Sequence, residues 1–165
     1  MAPSVQDLIA QAHRVDHAEL AGDVLATFDL GLDGIGDLLE RRAREAPDKP
    51  FLVFYDDDAR TRSDWTRQEF VVEVRKAAKV MEDLGLVAGD AVATADEFNH
   101  ADTLIVLCAA WSSGLLAVPL NLKEDDARLE YIMGHAGVKA LFVRDAYATR
   151  VAPIARKAGA ATVVA

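Results

Sequence analysis

Apolar residues recur along this chain with two periods, and the changes of period mark its elements. Val5, Leu8, Ile9, Ala12 and Val15 repeat at helical spacing, so Ser4 to about Phe28 is predicted as a helix. Ser4 and Asp7 have the separation of a capping box. "DLGLDGIG" breaks the pattern with three glycines, and a second helix is predicted over Asp37–Ala46. It puts Leu38, Leu39 and Ala43 on one face and stops at Pro47. "PFLVFY" reads as a strand, "DDDAR" as a turn and "TRSDW" as an antiparallel partner. A longer helix follows from Thr66, with Thr66 and Glu69 at capping-box spacing. Its predicted buried stripe is Phe70, Val74, Ala77, Ala78, Met81 and Leu84, and Gly85 ends it in a left-handed cap.

Beyond Gly85 strands and helices alternate. "DAVATA" is a strand, and Asn99 or Asp96 is expected to cap a helix running to about Ser112. Gly114 ends that helix with φ > 0. "LLAVPL" is expected as a central strand that Pro119 closes, because proline has no ladder donor. "EDDARLEYIMGH" is a helix with Leu129, Ile132 and Met133 on one side. "KALFV", "AYATRVAPIARKA" and "ATVV" are then strand, helix and strand. This alternation implies right-handed crossovers and a parallel sheet. Continuous apolar strands suit a sheet covered on both faces. The expected fold class is α/β: a mostly parallel sheet with helices on both faces, Rossmann-like and doubly wound, with an N-terminal helical segment and a β-hairpin.

Composition narrows the function classes. The chain has 165 residues, 52% hydrophobic and 27% charged, as in a soluble globular domain. No apolar run reaches the roughly 20 residues of a membrane-spanning helix. Asp7, His13, Arg14 and Asp16 interrupt the start, so no secretory signal is read there. A net charge of −9 opposes binding to nucleic acid or anionic membranes, and the one basic cluster, "ERRARE", carries its own glutamates. The single cysteine, Cys108, excludes an intrachain disulfide and a cysteine-rich zinc site. A cytoplasmic location is the default expectation.

The candidates for chemistry are weak one by one. His13 and His17 stand at i, i+4, a spacing that can hold zinc, but Arg14 follows where a zinc peptidase needs glutamate. "GIGDLL" has leucine, Leu39, at the third glycine position of a dinucleotide turn and lacks a preceding strand. Asp56, Asp57 and Asp58 are consecutive, so their side chains diverge as in a solvated hairpin tip. A receiver domain would instead draw its acids from separate strands. Cys108 lies in an all-apolar helix with no nearby histidine, which marks a core residue. His100 and His135 fall at helix ends, where cap and dipole roles are expected. There is no P-loop, no nucleophile elbow and no Ser/Thr/Gly-rich phosphate loop in these residues.

Five segments, in order, resemble one family. "DLLERRAREAPDKPFLVF" resembles the opening of the adenylate-forming acyl-CoA synthetase and ligase superfamily. "WTRQEF" lies where that family reads Leu-Thr-Tyr-x-Glu-Leu. "DLGLVAGDAVATA" and "WSSGLLAVPLN" are similar to its Leu-Gly-x-x-x-Gly-Asp-x-Val-Ala and Leu-Lys-Ala-Gly-x-x-x-x-Pro-Leu-Asn segments. "LEYIMGHAGVKALFV" resembles the helix and strand that follow. The resemblance runs from about Ile35 to Val164. Arg67 in place of tyrosine, one extra residue between Val92 and Asn99, Ser112 in place of a basic residue and Leu122 in place of proline mark a divergent member.

The resemblance implies a two-step ligase. A carboxylate attacks the α-phosphate of ATP to give an acyl-adenylate and pyrophosphate, and the thiol of coenzyme A (CoA) then takes the acyl group. ATP, Mg²⁺ and CoA are implied for a complete enzyme, acting on a fatty or aromatic acid. The family's phosphate loop, acidic motifs and catalytic lysine lie beyond the matched segments. The expectation is therefore an N-terminal helical extension over residues 1–34 and an incomplete first N-terminal subdomain over residues 35–165, inactive alone, with no catalytic residue and no metal ligand of its own. Lys123 matches the basic residue after Pro-Leu-Asn-x, which in some members lies near the CoA nucleotide phosphate. Asn121 and Lys123 are the expected ligand contacts. The remainder of the enzyme, or a second copy meeting an uncovered apolar face, is the expected partner. A stand-alone interaction module reusing the fold is the alternative.

Overall fold

The computed structural model describes residues 32–56, 60–97 and 100–164. The predicted helix at Ser4–Phe28, the His13/His17 pair, Asp57, Asp58 and Asn99 lie outside the described residues. The compact unit Asp33–Ala165 has eleven elements in its described part. They are α1 (Ile35–Glu45), β1 (Pro50–Asp56), β2 (Thr61–Thr66), α2 (Arg67–Asp83), β3 (Ala91–Asp96), α3 (Ala101–Ser112), β4 (Leu116–Asn121), α4 (Asp126–Ala136), β5 (Val138–Val143), α5 (Asp145–Lys157) and β6 (Ala161–Val164). Helix α1 begins two residues before the predicted start, because Gly34 serves as its N-cap without any side-chain hydrogen bond. The glycine pair of "GIG" is thus a helix entry. A Cβ on Gly36 would sit 3.0 Å from both Cβ and Oγ of Ser112, so this glycine lets the chain pass close to α3.

β1 and β2 pair antiparallel as predicted, from Pro50 opposite Thr66 to Asp56 opposite Thr61. Thr66 then caps α2. Its hydroxyl accepts from the Glu69 amide at 3.2 Å, and the Glu69 carboxylate accepts from the Thr66 amide at 2.8 Å. That backbone donor holds the Glu69 carboxyl below its ordinary pKa. Phe70, Val74 and Met81 are buried as the stripe predicts, but Leu84 is 44% exposed. Leu84 is the C-cap itself, already turning away from the core toward Gly85 at φ +74°.

The four remaining strands form one parallel sheet in the order β4-β3-β5-β6. Helices cover both faces, and the core divides accordingly. On one side Phe70, Val74, Met81, Ile105 and Cys108 from α2 and α3 pack with Val92, Ala140 and Phe142. On the other Leu129, Met133, Val151 and Ile154 from α4 and α5 pack with Ala93, Ala95, Leu141 and Val143. Adjacent residues of each strand serve opposite layers, as the pleat requires. Burial pushes the Cys108 thiol up in pKa, as expected for a core cysteine.

The structure corrects two expectations about "LLAVPL". β4 is an edge strand, not a central one, and Pro119 lies inside it, opposite Thr94. The amides of Leu116 and Leu122 donate to the carbonyls of Asp90 and Asp96, each at 2.9–3.0 Å. Alternation along the strand then turns the nitrogen of Pro119 toward the open edge, where a missing donor breaks nothing. Gly114 has φ +70°, as predicted, and hands α3 over to β4.

Candidate functional site at the carboxyl ends of the strands

In open α/β sheets, ligands meet the carboxyl ends of the strands near the point where strand order reverses. Here the chain goes from β3 outward to β4, then crosses back to β5 on the other side of β3. The reversal lies between β3 and β5, and a polar cluster closes it. Asp96, the last residue of β3, is paired with Arg144, which follows β5. Arg144 Nη2 donates to Asp96 Oδ1 at 2.6 Å and Nε to Oδ2 at 3.3 Å. The Thr103 hydroxyl adds a third bond to Oδ2 at 3.1 Å, and the Glu97 amide donates to Oδ1 at 3.1 Å. The Asp96 side chain keeps only 10% of its exposure, against 28% for Arg144. The adjacent carboxylate holds the Arg144 guanidinium above its usual pKa, so this charge is permanent. The Arg144 guanidinium also lies 5.1 Å from the Tyr147 ring centroid. A cavity of only about 20 Å³ remains beside the pair, roughly the room for one water.

The next crevice, between β3 and β4, is open. It measures about 270 Å³ and is lined by Thr94, Asp96, Glu97, Thr103, Pro119 and Asn121, among others. The helix at its rim is capped by His100, not by Asp96, whose carboxylate is committed to Arg144 and Thr103. His100 Nδ1 accepts from the Asp102 amide at 3.3 Å and lies 2.9 Å from Asp102 Oδ2. The neutral ring can accept from the amide, and a protonated ring would donate to the carboxylate. His135 lies in the last turn of α4, stacked on Tyr131.

Asn121 ends β4 at the same edge. Its Oδ1 accepts from the Lys123 amide at 3.0 Å, and its carbonyl accepts from the Glu124 amide at 3.1 Å. The side chain therefore shapes an Asx turn that carries Lys123 at the surface. Leu122, between them, is buried at 3% exposure and anchors the turn. Sequence reasoning named Asn121 and Lys123 but missed Arg144 and Arg150. Both arginines reach Asp96 or the 122–126 segment across more than twenty residues of chain. No local spacing could have signalled them.

A larger hollow of about 590 Å³ lies between α4 and α5, lined by Glu130, Tyr131, His135 and Lys157. It sits away from the strand ends, against exposed helix surface, and volume alone gives it no chemistry. Among the described residues, no group of three or more His, Cys, Asp or Glu side chains is arranged to hold a metal ion. No helix among them is long and apolar enough to cross a membrane.

Comparison with known proteins agrees with this architecture. The N-terminal domain of FACL13 from Mycobacterium tuberculosis superimposes with a TM-score of 0.68 at 21% identity, over 81% of this chain and 34% of that one. At that identity the likeness shows the fold. The human medium-chain acyl-CoA ligase ACSF2, mitochondrial, is 31% identical over 107 residues, 65% of this chain and 17% of its own length. The putative acyl-CoA synthetase YngI of Bacillus subtilis is 30% identical over 113 residues, 68% of this chain and 20% of its own. The chain thus spans about a fifth of the curated relatives it matches. The sequence profile described as AMP-binding enzyme matches residues 39–165, through both sheets and every helix after α1. With most of its length matched in this way, the chain belongs to the AMP-binding enzyme family.

Proposed function

We propose that residues 35–165 form the first N-terminal subdomain of an ATP-dependent acyl-CoA synthetase, with residues 1–34 as an extension to it. The observation that carries it is the family match over residues 39–165, with acyl-CoA ligases among the relatives. In this reading the complete enzyme joins a fatty or aromatic carboxylic acid to CoA through an acyl-adenylate. The chemistry of the donors supports one substrate group as the one this subdomain meets. Asp96, Glu97 and Asp102 crowd the strand ends with carboxylates, which oppose a bare phosphate there unless a metal ion stands between them. Lys123 does suit a phosphate, as an exposed lysine whose backbone is held in an ordered turn. Its role is to neutralise the nucleotide phosphate of CoA and so orient the thiol carrier, with Asn121 shaping the turn beside it.

The adenylation machinery is supplied by the rest of the enzyme, and these 165 residues alone are inactive. Purified chain should give no ATP–pyrophosphate exchange with medium-chain fatty or benzoic acids, whereas the longer enzyme should. Robust exchange by the 165-residue chain would overturn the proposal. A stop codon directly after codon 165, with a separate binding partner, would favour a stand-alone module instead. The natural partner in this reading is the remainder of the enzyme. In its absence, exposed apolar residues such as Tyr55, Leu116 and Val164 should drive self-association. A monomer by light scattering at high concentration would exclude that part. A cytoplasmic location belongs to the same proposal, and cell fractionation tests it.

A further inference from the structure

The turn that presents Lys123 is tied from outside by one residue of a different element. Arg150, in the second turn of α5, sends Nη1 to the Leu122 carbonyl at 2.6 Å and Nη2 to the Glu124 carbonyl at 2.7 Å. Its Nε meets Asp126 Oδ1 at 3.0 Å. One planar guanidinium thus bonds both carbonyls that flank Lys123 and the first residue of α4. The turn's amides are engaged as well: Leu122 to Asp96 O, Lys123 to Asn121 Oδ1 and Glu124 to Asn121 O. With Leu122 buried beneath, the backbone of this exposed turn is held at nearly every polar atom.

We infer that Arg150 is a positioning residue for anion recognition: its fork fixes the backbone of the 122–126 turn, and so the place from which Lys123 reaches a nucleotide phosphate. The inference rests on the role proposed above for Lys123. A lone lysine carries a flexible stem and much rotamer entropy, so a rigid base is what converts it into a directed charge. Arg150 is suited to this because three donors in one plane match two carbonyls and a carboxylate at once. A lysine at position 150 would keep the charge but lose the fork.

The test uses two readouts. In the 165-residue chain, Arg150→Gln should speed amide hydrogen exchange at Lys123 and Glu124 by about tenfold, leaving β3 and β5 amides protected. In the complete enzyme, Arg150→Gln and Lys123→Met should each raise the KM for CoA by about threefold to tenfold. The KM for ATP serves as the internal reference, since loss of folded enzyme would lower kcat without raising the CoA KM selectively. The double variant should be no worse than Lys123→Met alone, and Arg150→Lys should not rescue. If Lys123→Met leaves the CoA KM unchanged, the reading of Lys123 fails, and this inference with it. If Lys123→Met raises it but Arg150→Gln does not, the positioning role alone is overturned. Additive effects, or full rescue by lysine, would make Arg150 an independent charge and likewise overturn it.

Discussion

β3 and β4 lie side by side in register for six residues, yet they obey different rules. β3 is an inner strand whose first five residues are all buried, and it runs Ala-Val-Ala-Thr-Ala. Its small side chains let helices close on both faces. β4 is an edge strand with Leu116 58% exposed and with a proline in its interior. At their carboxyl ends the contrast continues. β3 ends in Asp96, enclosed by an arginine, a threonine and a backbone amide. β4 ends in an Asx turn that turns a lysine outward. The strand that is locked on both sides closes the crevice at the strand-order reversal, and the edge strand, which has one neighbour among the described residues, ends in an exposed turn.

This contrast can be broken most forcefully by exchanging its chemistry. Thr94→Pro places on β3 the residue that β4 tolerates directly opposite. It should cost about 3 kcal/mol or more and abolish cooperative unfolding, whereas Pro119→Thr should change stability by about 0.5 kcal/mol or less. A folded Thr94→Pro chain with a normal urea midpoint would contradict the inner position of β3. Next in size is the strand end. Asp96→Ala leaves the half-buried Arg144 without its carboxylate and should cost about 2–4 kcal/mol. Asn121→Ala, at the end of β4, should cost only about 0.5–1 kcal/mol. Comparable losses from the two, read from urea denaturation, would erase the distinction.

The entries to the two strands give smaller effects. Gly114→Ala, before β4, forces a side chain into φ +70° and brings its Cβ to 3.2 Å from that of Ala88. A loss of about 1–2 kcal/mol is expected, and an unchanged midpoint would refute the backbone requirement. Asp90, before β3, accepts from the Lys139 ammonium at 2.7 Å and from the Val87 amide at 2.9 Å. These donors, Lys139 foremost, hold its carboxyl below the ordinary aspartate range. A depressed folded pKa gives stability that is present above the unfolded value, about 3.9, and lost as pH falls through the folded one. Asp90→Asn should therefore flatten the decline in stability below about pH 4, since the amide cannot take up the proton. An identical acid limb in both proteins would deny the linkage.

Much of the fold was legible because it is written in short-range chemistry. The Thr66/Glu69 capping box, the turn at Gly114, the pairing of "PFLVFY" with "TRSDW" and the alternation after Gly85 all depend on residues within a few positions of one another. The misplaced details share a different cause. Leu84 fits the helical stripe, but the helix ends there and the stripe ends with it. Asp96 looks like a cap in sequence, yet an arginine forty-eight residues later claims its carboxylate and leaves His100 to cap α3. β5 starts at Val138, one residue before the predicted "KALFV", and Lys139 falls at a register shift opposite Ala91 and Val92, where its ammonium reaches Asp90.

By itself, then, the sequence determined the α/β class and the family, and it singled out Lys123 as the lysine that follows Pro-Leu-Asn-x. Periodicity, caps and turn residues act locally, and the order of motifs is a property of the chain alone. The tertiary structure decided which strand is inner and which is the edge, since "LLAVPL" and "KALFV" are equally apolar and only sheet order separates them. It also decided that Arg144 closes one crevice while Arg150 braces the turn beside another. Those two roles depend on carbonyls and carboxylates brought within hydrogen-bond reach from distant parts of the chain, and only folding sets such distances.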